Sequence, residues 1–193
     1  MQSPAAQGGA GRRRAASHVL TEDATRAADR VQLRTRRLAS ARGAQRHGIF
    51  AAAQLLILQL YGAAAPAGWL CGWCDASVER GASPRRAGVG GIILDALGRE
   101  LARVSEPVAE REPFEAEIAA LEAVLRAAGR ARRIRIYTDC DALVSLWLER
   151  RRDPRLAAVR AAVRRLQRFE LRHVPRRHNQ AAHRLAREGA LGS

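Results

Sequence analysis

The sequence predicts an α/β protein built on one mixed five-stranded sheet, and three observations lead to this prediction. Three apolar, strand-like segments follow one another from Trp69 onwards with only short polar connections, which is typical of an antiparallel meander. Two further strand-like segments alternate with helical ones in the second half of the chain. The resulting order, βββαβααβα, predicts a layer of strands flanked by helices.

The three consecutive strands are predicted from apolar runs separated by turn-forming residues. They span Trp69–Ala76, Ala87–Leu94 and Arg99–Val108, with a loop at 81–84 and a turn at 95–98. Gly88, Gly90 and Gly91 fall inside the second strand, without the strand-to-helix context of a phosphate-binding loop. We therefore expect these glycines to permit a close backbone approach or a bulge.

The second half of the predicted domain alternates helices with strands. Gly129 is expected to close the first helix, and Asp153 followed by Pro154 is a favourable pairing of helix cap and first-turn proline. Asn179 is expected to cap the last helix. The predicted elements are a helix over 113–128, a strand Arg133–Thr138, a helix from Asp141 to Arg151, a helix from Pro154 to Arg168, a strand Phe169–Val174 and a helix to about Ala190.

The charge of the chain restricts the partners that it can have. Its 193 residues include 34 basic and 19 acidic ones, which gives a net charge of +15, and every basic residue is arginine. This excess indicates a polyanionic partner, with nucleic acid first, an anionic membrane surface second and acidic proteins third. Three cysteines are too few for a disulfide scaffold and suit a reducing compartment, so we expect a cytoplasmic protein.

The region before the predicted sheet divides into two segments. Residues 1–17 are polar, glycine-rich and basic, which predicts a disordered tail. Residues 18–66 predict a helical hairpin, whose second helix would contain the apolar stretch Ile49–Ala65. That stretch could also be a membrane anchor or signal, but it is short and contains two glutamines, so we expect no stable membrane association. The remaining domain is predicted to cover 69–191.

Three carboxylates lie where a purely structural interpretation would not place them. Asp75 ends the apolar strand WLCGWC, Glu117 lies on the core-facing stripe of its helix, and Asp139 follows the carboxyl end of the fourth strand. Each acid alone could be a helix cap or a rim residue, and for Asp139 a cap is an even alternative. Clustered carboxylates repel one another unless a divalent cation neutralises them, so together they predict oxygen-ligated Mg²⁺ or Mn²⁺.

Four motifs in order resemble the type 1 ribonuclease H family. They are WCDASV, AEIAAL, YTDCDALV and RHVPRRHNQAAHRLA, and the resemblance covers about 69–191. The predicted βββαβααβα order matches the ribonuclease H-like fold of that family. The resemblance implies that Asp75, Glu117 and Asp139 are metal-binding catalytic acids for two ions.

The same resemblance implies roles for further residues. His173 matches a histidine that assists proton transfer or product release, although a histidine that only pairs with the backbone at a strand end would also fit. Asn179 matches an asparagine at the start of the last helix, and we expect it to contact nucleic acid together with Ser77, Arg176 and Arg177. As a cap, Asn179 would need no further role.

Two departures from the family pattern concern the site. The fourth acid of the family falls on His183, which could be a metal ligand, a residue that positions water, or a polar residue on a helix edge. An imidazole in this place predicts a preference for Mn²⁺ over Mg²⁺. The segment before Glu117, Glu112–Glu115, lacks the asparagines that in this family usually contact the substrate, an RNA–DNA hybrid. The basic protrusion of some relatives is also missing, so the chain resembles the handle-less form.

The resemblance implies a metal-dependent endonuclease, a monomer, that cuts the RNA strand of RNA–DNA hybrids and leaves 5′-phosphate and 3′-hydroxyl ends. The alternative is a catalytically degenerate member that binds hybrid or double-stranded RNA without cutting. A related exonuclease fits less well, because Asp75-Ala-Ser77 departs from the Asp-x-Glu typical of that group. A basic membrane-attached adaptor is the alternative outside nucleic-acid chemistry, and it depends only on Ile49–Ala65.

Overall fold

A computed structural model describes residues 66–79, 81, 86–109, 112–149 and 153–192, together with the isolated positions 26, 27, 30, 31, 53 and 56. The predicted tail over 1–17 lies outside the described residues. The isolated positions within the predicted hairpin over 18–66 are all helical, and the hairpin itself stays a prediction. No helix in the described part of the chain is long and apolar enough to cross a membrane.

The sheet has the predicted five strands in the order β3-β2-β1-β4-β5. The strands β1 and β2 form one antiparallel pair and β2 and β3 another, whereas β4 runs parallel to β1 and β5 parallel to β4. This arrangement confirms the predicted fold class. The strands are β1 (Leu70–Val78), β2 (Ala87–Leu94), β3 (Glu100–Val108), β4 (Arg133–Thr138) and β5 (Arg168–His173).

Helices cover both faces of the sheet. The four α-helices of the described part of residues 66–192 are α1 (Pro113–Ala127), α2 (Asp141–Leu148), α3 (Ala157–Val163) and α4 (Gln180–Leu191), and a 3₁₀ turn over Pro154–Leu156 precedes α3. One core lies between the sheet and α1, α2 and α3, and a second, smaller core lies under α4. In the second core, Trp73 stacks on Tyr137 with ring centroids 5.2 Å apart.

The last helix packs directly on the backbone of β2. A Cβ atom at Gly90 would lie 2.1 Å from the backbone nitrogen of Ala186, and one at Gly88 would lie 2.1 Å from that of Ala190. These distances are far below van der Waals contact, so only glycine allows α4 to approach this closely. The predicted close backbone approach at these glycines is therefore confirmed.

The helix predicted from Asp141 to Arg151 ends at Leu148, and two further corrected boundaries have a common cause. The helix predicted to run from Pro154 to Arg168 ends at Val163, because the backbone N–H groups of Gln167 and Arg168 bond to the carbonyl of Arg132 and bring the chain into β5. The first strand continues past Ala76 to Val78, because its end pairs with the beginning of β2. In both cases pairing within the sheet overrides the local sequence pattern.

Candidate active site

Two of the predicted acids are brought together by the parallel pairing of β1 and β4. Trp73 is aligned with Tyr137 in this pair, and each predicted acid follows two residues later. Asp75 and Asp139 therefore lie side by side at one edge of the sheet. Only 3% of the surface of Asp75 is exposed, so this carboxyl group is held in the protein interior next to a second one.

The helix α1 adds the third acid from the layer above the sheet. Glu117 lies on the side of α1 that also carries the buried Ala120, Leu121 and Val124, so it faces β1. Its carboxylate accepts a hydrogen bond from the backbone N–H of Ala76. Its Oε2 atom is buried and has no hydrogen-bond partner in the described structure. An acceptor oxygen in this state lacks a ligand that would offset its loss of water.

Burial and neighbouring charge strongly disturb the ionisation of Asp75 and Glu117. Burial, followed by the charges of Glu117 and Asp139, raises the pKa of Asp75 to about 9. Burial and the charge of Asp139 raise the pKa of Glu117 to about 8. At neutral pH the cluster therefore retains protons that isolated carboxyl groups would have lost.

His183 reaches into this cluster from the first turns of α4. Its Nδ1 atom lies 2.7 Å from Oδ2 of Asp75, and its Nε2 atom lies 3.4 Å from a guanidinium nitrogen of Arg176. A guanidinium group can only donate, so Nε2 must accept and the neutral ring carries its proton on Nδ1. Burial and the charge of Arg176 lower the pKa of His183, which favours this neutral form. The contact with Asp75 is therefore a hydrogen bond, not an ion pair.

Asn179 lies at the start of α4, as predicted, but its side chain makes no capping bond. Instead, Nδ2 donates to Oδ1 of Asp139 at 2.6 Å and to the backbone carbonyl of Cys74 at 2.9 Å. The residue is completely buried, so in this conformation it holds Asp139 against β1 and is not exposed to a ligand. Sequence reasoning missed this bridge, since nothing in the spacing distinguishes it from a cap.

The remaining predicted residues lie around the cluster at different distances. His173 ends β5, is aligned with Thr138 and is exposed. Ser77 follows Asp75 by two positions on β1, so it points to the same side of the sheet. Arg176 contacts His183, whereas the guanidinium group of Arg177 donates to the buried ring of His178. The structure thus brings together Asp75, Glu117, Asp139, His183, Asn179 and Arg176.

The donor set of this cluster suits a hard divalent cation. Three carboxyl groups and one imidazole lie near one another. Neighbouring negative charge helps to raise the pKa values of Asp75 and Glu117, and Oε2 of Glu117 is buried without a partner. In the described residues no three His, Cys, Asp or Glu side chains are spaced as a ready metal site. His183 and Asn179 each bond to one oxygen of the acids.

Comparison with known proteins agrees with the fold. Residues 74–189 match a family described as reverse transcriptase-like. The ribonuclease H1 of the archaeon Halobacterium salinarum is similar, with 27% identity and a TM-score of 0.56, over 65% of this chain and 100% of that one. No protein in the curated set matches the sequence.

Two more distant solved structures share the fold. The N-terminal ribonuclease H domain of a Mycobacterium tuberculosis protein has 21% identity and a TM-score of 0.57, over 63% of this chain and 98% of that one. LC11-RNase H1, solved with an RNA/DNA hybrid, has 20% identity and a TM-score of 0.57, over 64% of this chain and 97% of that one. All three structures align with about two-thirds of this chain.

Proposed function

The chain belongs to the reverse transcriptase-like family of ribonuclease H-like proteins, and from this premise we propose that it hydrolyses the RNA strand of RNA–DNA hybrids. The observation that carries the proposal is the carboxylate cluster, in which Asp75 and Glu117 retain protons and one oxygen of Glu117 has no partner. A purely structural cluster of this kind would only destabilise the fold.

We assign the metal-binding role to Asp75, Glu117 and Asp139, with His183 as a further ligand or a residue that positions water. Two Mg²⁺ or Mn²⁺ ions in such a site would supply an activated water and offset the charge of the leaving 3′ oxygen, giving 5′-phosphate and 3′-hydroxyl products. Because Asp75 and Glu117 hold protons in the free protein, ion binding would release protons and become stronger as the pH rises.

The other residues would prepare the acids for this role. Asn179 holds one oxygen of Asp139, which leaves its second oxygen free for a ligand. The proton on Nδ1 of His183 holds Oδ2 of Asp75 in the same way. Arg176 lies beside this pair and is exposed, so it can contact a phosphate. His173 is exposed at the end of the strand next to β4, where it can exchange protons between the site and solvent.

One observation favours the degenerate alternative, a protein that binds hybrid without cutting. In this conformation no three ligating side chains of the described region are spaced for chelation. If the contacts of Asn179 and His183 persist with substrate, Asp139 and Asp75 each offer only one oxygen to an ion. The two functions predict the same binding to hybrid and differ only in cleavage.

One assay separates these functions. The RNA strand is end-labelled in an RNA–DNA hybrid, in double-stranded RNA and as a single strand, and each substrate is incubated with Mg²⁺, Mn²⁺ or EDTA. We expect cleavage of the hybrid alone, in both metals and not in EDTA, and none by Asp139→Asn. Hybrid binding without cleavage in either metal would establish the degenerate alternative, and cleavage in EDTA would refute the metal-dependent mechanism.

A further inference from the structure

Six arginines lie together at the end of the sheet opposite the acids. Arg133 and Arg168 are aligned at the beginnings of β4 and β5, and the carbonyl of Arg132 accepts hydrogen bonds from the backbone N–H groups of Gln167 and Arg168. These bonds join the connection after α1 to the connection after α3. The group, here called the basal arginine patch, consists of Arg130, Arg132, Arg133, Arg164, Arg165 and Arg168.

The positive charge of the basal arginine patch is not neutralised by the described protein around it. All six residues are exposed, and no salt bridge involves them in the described region. The sequence has no acidic residue between Glu122 and Asp139 or between Asp153 and Glu170. Glu170, the nearest acid on β5, is already paired with Arg135 and Arg172.

Helix ends do not explain the patch. The helices α1 and α3 both end beside it, and arginines near helix carboxyl ends are stabilised by the helix dipole. Two helix ends contribute about one unit of negative charge, because each carries roughly half a unit. Six guanidinium groups exceed this by a wide margin, so most of the charge is left for a ligand from outside.

The patch is also too far away to tune the acids. The strand β4 has six residues, and at about 3.3 Å per residue it separates the patch from Asp139 by roughly 20 Å. Charges on the surface are screened within about 8 Å at physiological salt. The patch therefore needs a function of its own.

We propose that the basal arginine patch binds the phosphate backbone of nucleic acid that flanks the segment held at the active site. Guanidinium groups form paired hydrogen bonds to phosphate oxygens, and closely spaced arginines match the dense charge of a nucleic-acid backbone. An anionic membrane fits less well, because the two connections that carry the patch contribute none of the large exposed apolar residues of the described region, which are Leu56, Leu97, Leu101, Leu148 and Leu191.

The proposal rests on the proposed function, since it assumes that a hybrid occupies the acid site. The test uses the full chain with EDTA, so binding is measured without cleavage. The patch variant is Arg133→Gln with Arg168→Gln. The control is Arg99→Gln with Arg103→Gln, which removes the same charge from arginines that are paired with Asp95 and Glu100. Fluorescence anisotropy across a salt series is recorded with hybrids of about one and about three helical turns.

We expect the patch variant to bind the long hybrid roughly tenfold more weakly at physiological salt, with a salt slope lower by about one to two units. The affinity of the patch variant for the short hybrid should equal that of the unmodified protein. The control variant should bind both hybrids with unchanged affinity. Cleavage of the short hybrid in metal should also be unchanged, since the patch lies far from the acids. If the protein bound the long hybrid through the patch but cut no substrate, the proposed function would be refuted and the patch assignment would stand.

Three results would overturn the patch assignment. If the patch and control variants bound the long hybrid equally weakly, the loss would reflect overall charge and not the patch. If the patch variant bound the long hybrid with unchanged affinity, contact between the patch and the hybrid would be excluded. Loss of binding to phosphatidylserine vesicles with hybrid binding retained would assign the patch to membranes. Thermal melting of both variants shows whether they fold. If the first patch variant does not fold, Arg164→Gln with Arg165→Gln gives a second patch variant that lies outside the strands.

Discussion

The two ends of β4 carry opposite charges that are held in opposite ways. At the carboxyl end, Asp75 is buried beside two partly buried acids, and Asp75 and Glu117 retain protons at neutral pH. Hydrogen bonds from Asn179 and His183 fix the orientation of Asp139 and Asp75. At the amino end, the arginines of the basal arginine patch are exposed and have no acidic partners in the described structure. Because Asp75 is buried, the function of the first end should depend on the position of individual hydrogen-bonding atoms. Because the arginines are exposed, the function of the second end should depend on their total charge.

The largest effect should come from removing a charge at the acidic end. We expect Asp139→Asn to lower hybrid cleavage by about three orders of magnitude, because a metal site contributes several kcal/mol and an amide neither neutralises nor binds the ions well. Hybrid binding should be retained or become stronger as negative charge is lost. Cleavage rates under saturating substrate and anisotropy in EDTA check the two parts, and near-normal cleavage would refute the site assignment.

Loss of the bond that orients Asp139 should have a smaller effect. Asn179→Ala removes the donor to Oδ1 of Asp139, and we expect a 10–100-fold loss of cleavage, typical for groups that position metal ligands. The control is the same substitution in the Asp139→Asn background, where little further loss is expected. If the two losses multiplied there, Asn179 would act independently of Asp139, for example only through the carbonyl of Cys74.

The imidazole at the acidic end should alter the choice of metal by a few-fold. We expect the unmodified protein to work better with Mn²⁺ than with Mg²⁺, and His183→Asp to shift the ratio towards Mg²⁺, because Mg²⁺ prefers hard oxygen ligands. The shift is modest because three carboxylates remain. The cleavage rate is measured against metal concentration for both proteins. Identical ratios of the rates in Mn²⁺ and Mg²⁺ would show that His183 has no role in the choice of metal.

The smallest effect is on stability. The pKa values of Asp75 and Glu117 are raised to about 9 and about 8, so in EDTA their contribution to folding is complete below about pH 4 and is lost as the pH rises towards 9. Mg²⁺ should offset this loss. At one fixed concentration, ten times the Kd at pH 8, it should raise the melting temperature by about 3–5 °C at pH 8 and by less at pH 6, where binding is weaker. Calorimetric scans test this, with Asp139→Asn as the control that should show little stabilisation.

The sequence was sufficient for elements whose ends are marked by local chemistry. The bounds of β2 and β4 agree with prediction. Turn-forming residues lie on either side of β2, and Gly129 precedes β4. The predicted end of α3 was five residues too late. No residue between Val163 and Arg168 breaks a helix, and only the hydrogen bonds to Arg132 end it. Long-range pairing of this kind leaves no trace in a local pattern.

The candidate site shows the same limit. The three acids were predicted because charge at buried positions is conspicuous in a sequence. The role of Asn179 was not, because asparagine before a helix already has a sufficient local explanation as a cap, and its bonds to Asp139 and Cys74 depend on elements far apart in the chain. Catalytic roles for Asp75, Glu117, Asp139, His173 and His183 stay predictions until cleavage is measured.

The contact between α4 and the glycines of β2 has a consequence for how the protein tolerates mutation. Every side chain larger than hydrogen at Gly88 or Gly90 would push against helix backbone, which cannot move aside as a side chain can. The helix that would be displaced carries His183 and begins at Asn179. Two chemically silent positions should thus be as intolerant of substitution as the acids themselves, whereas the exposed Gly81, with nothing within 4 Å, should accept alanine.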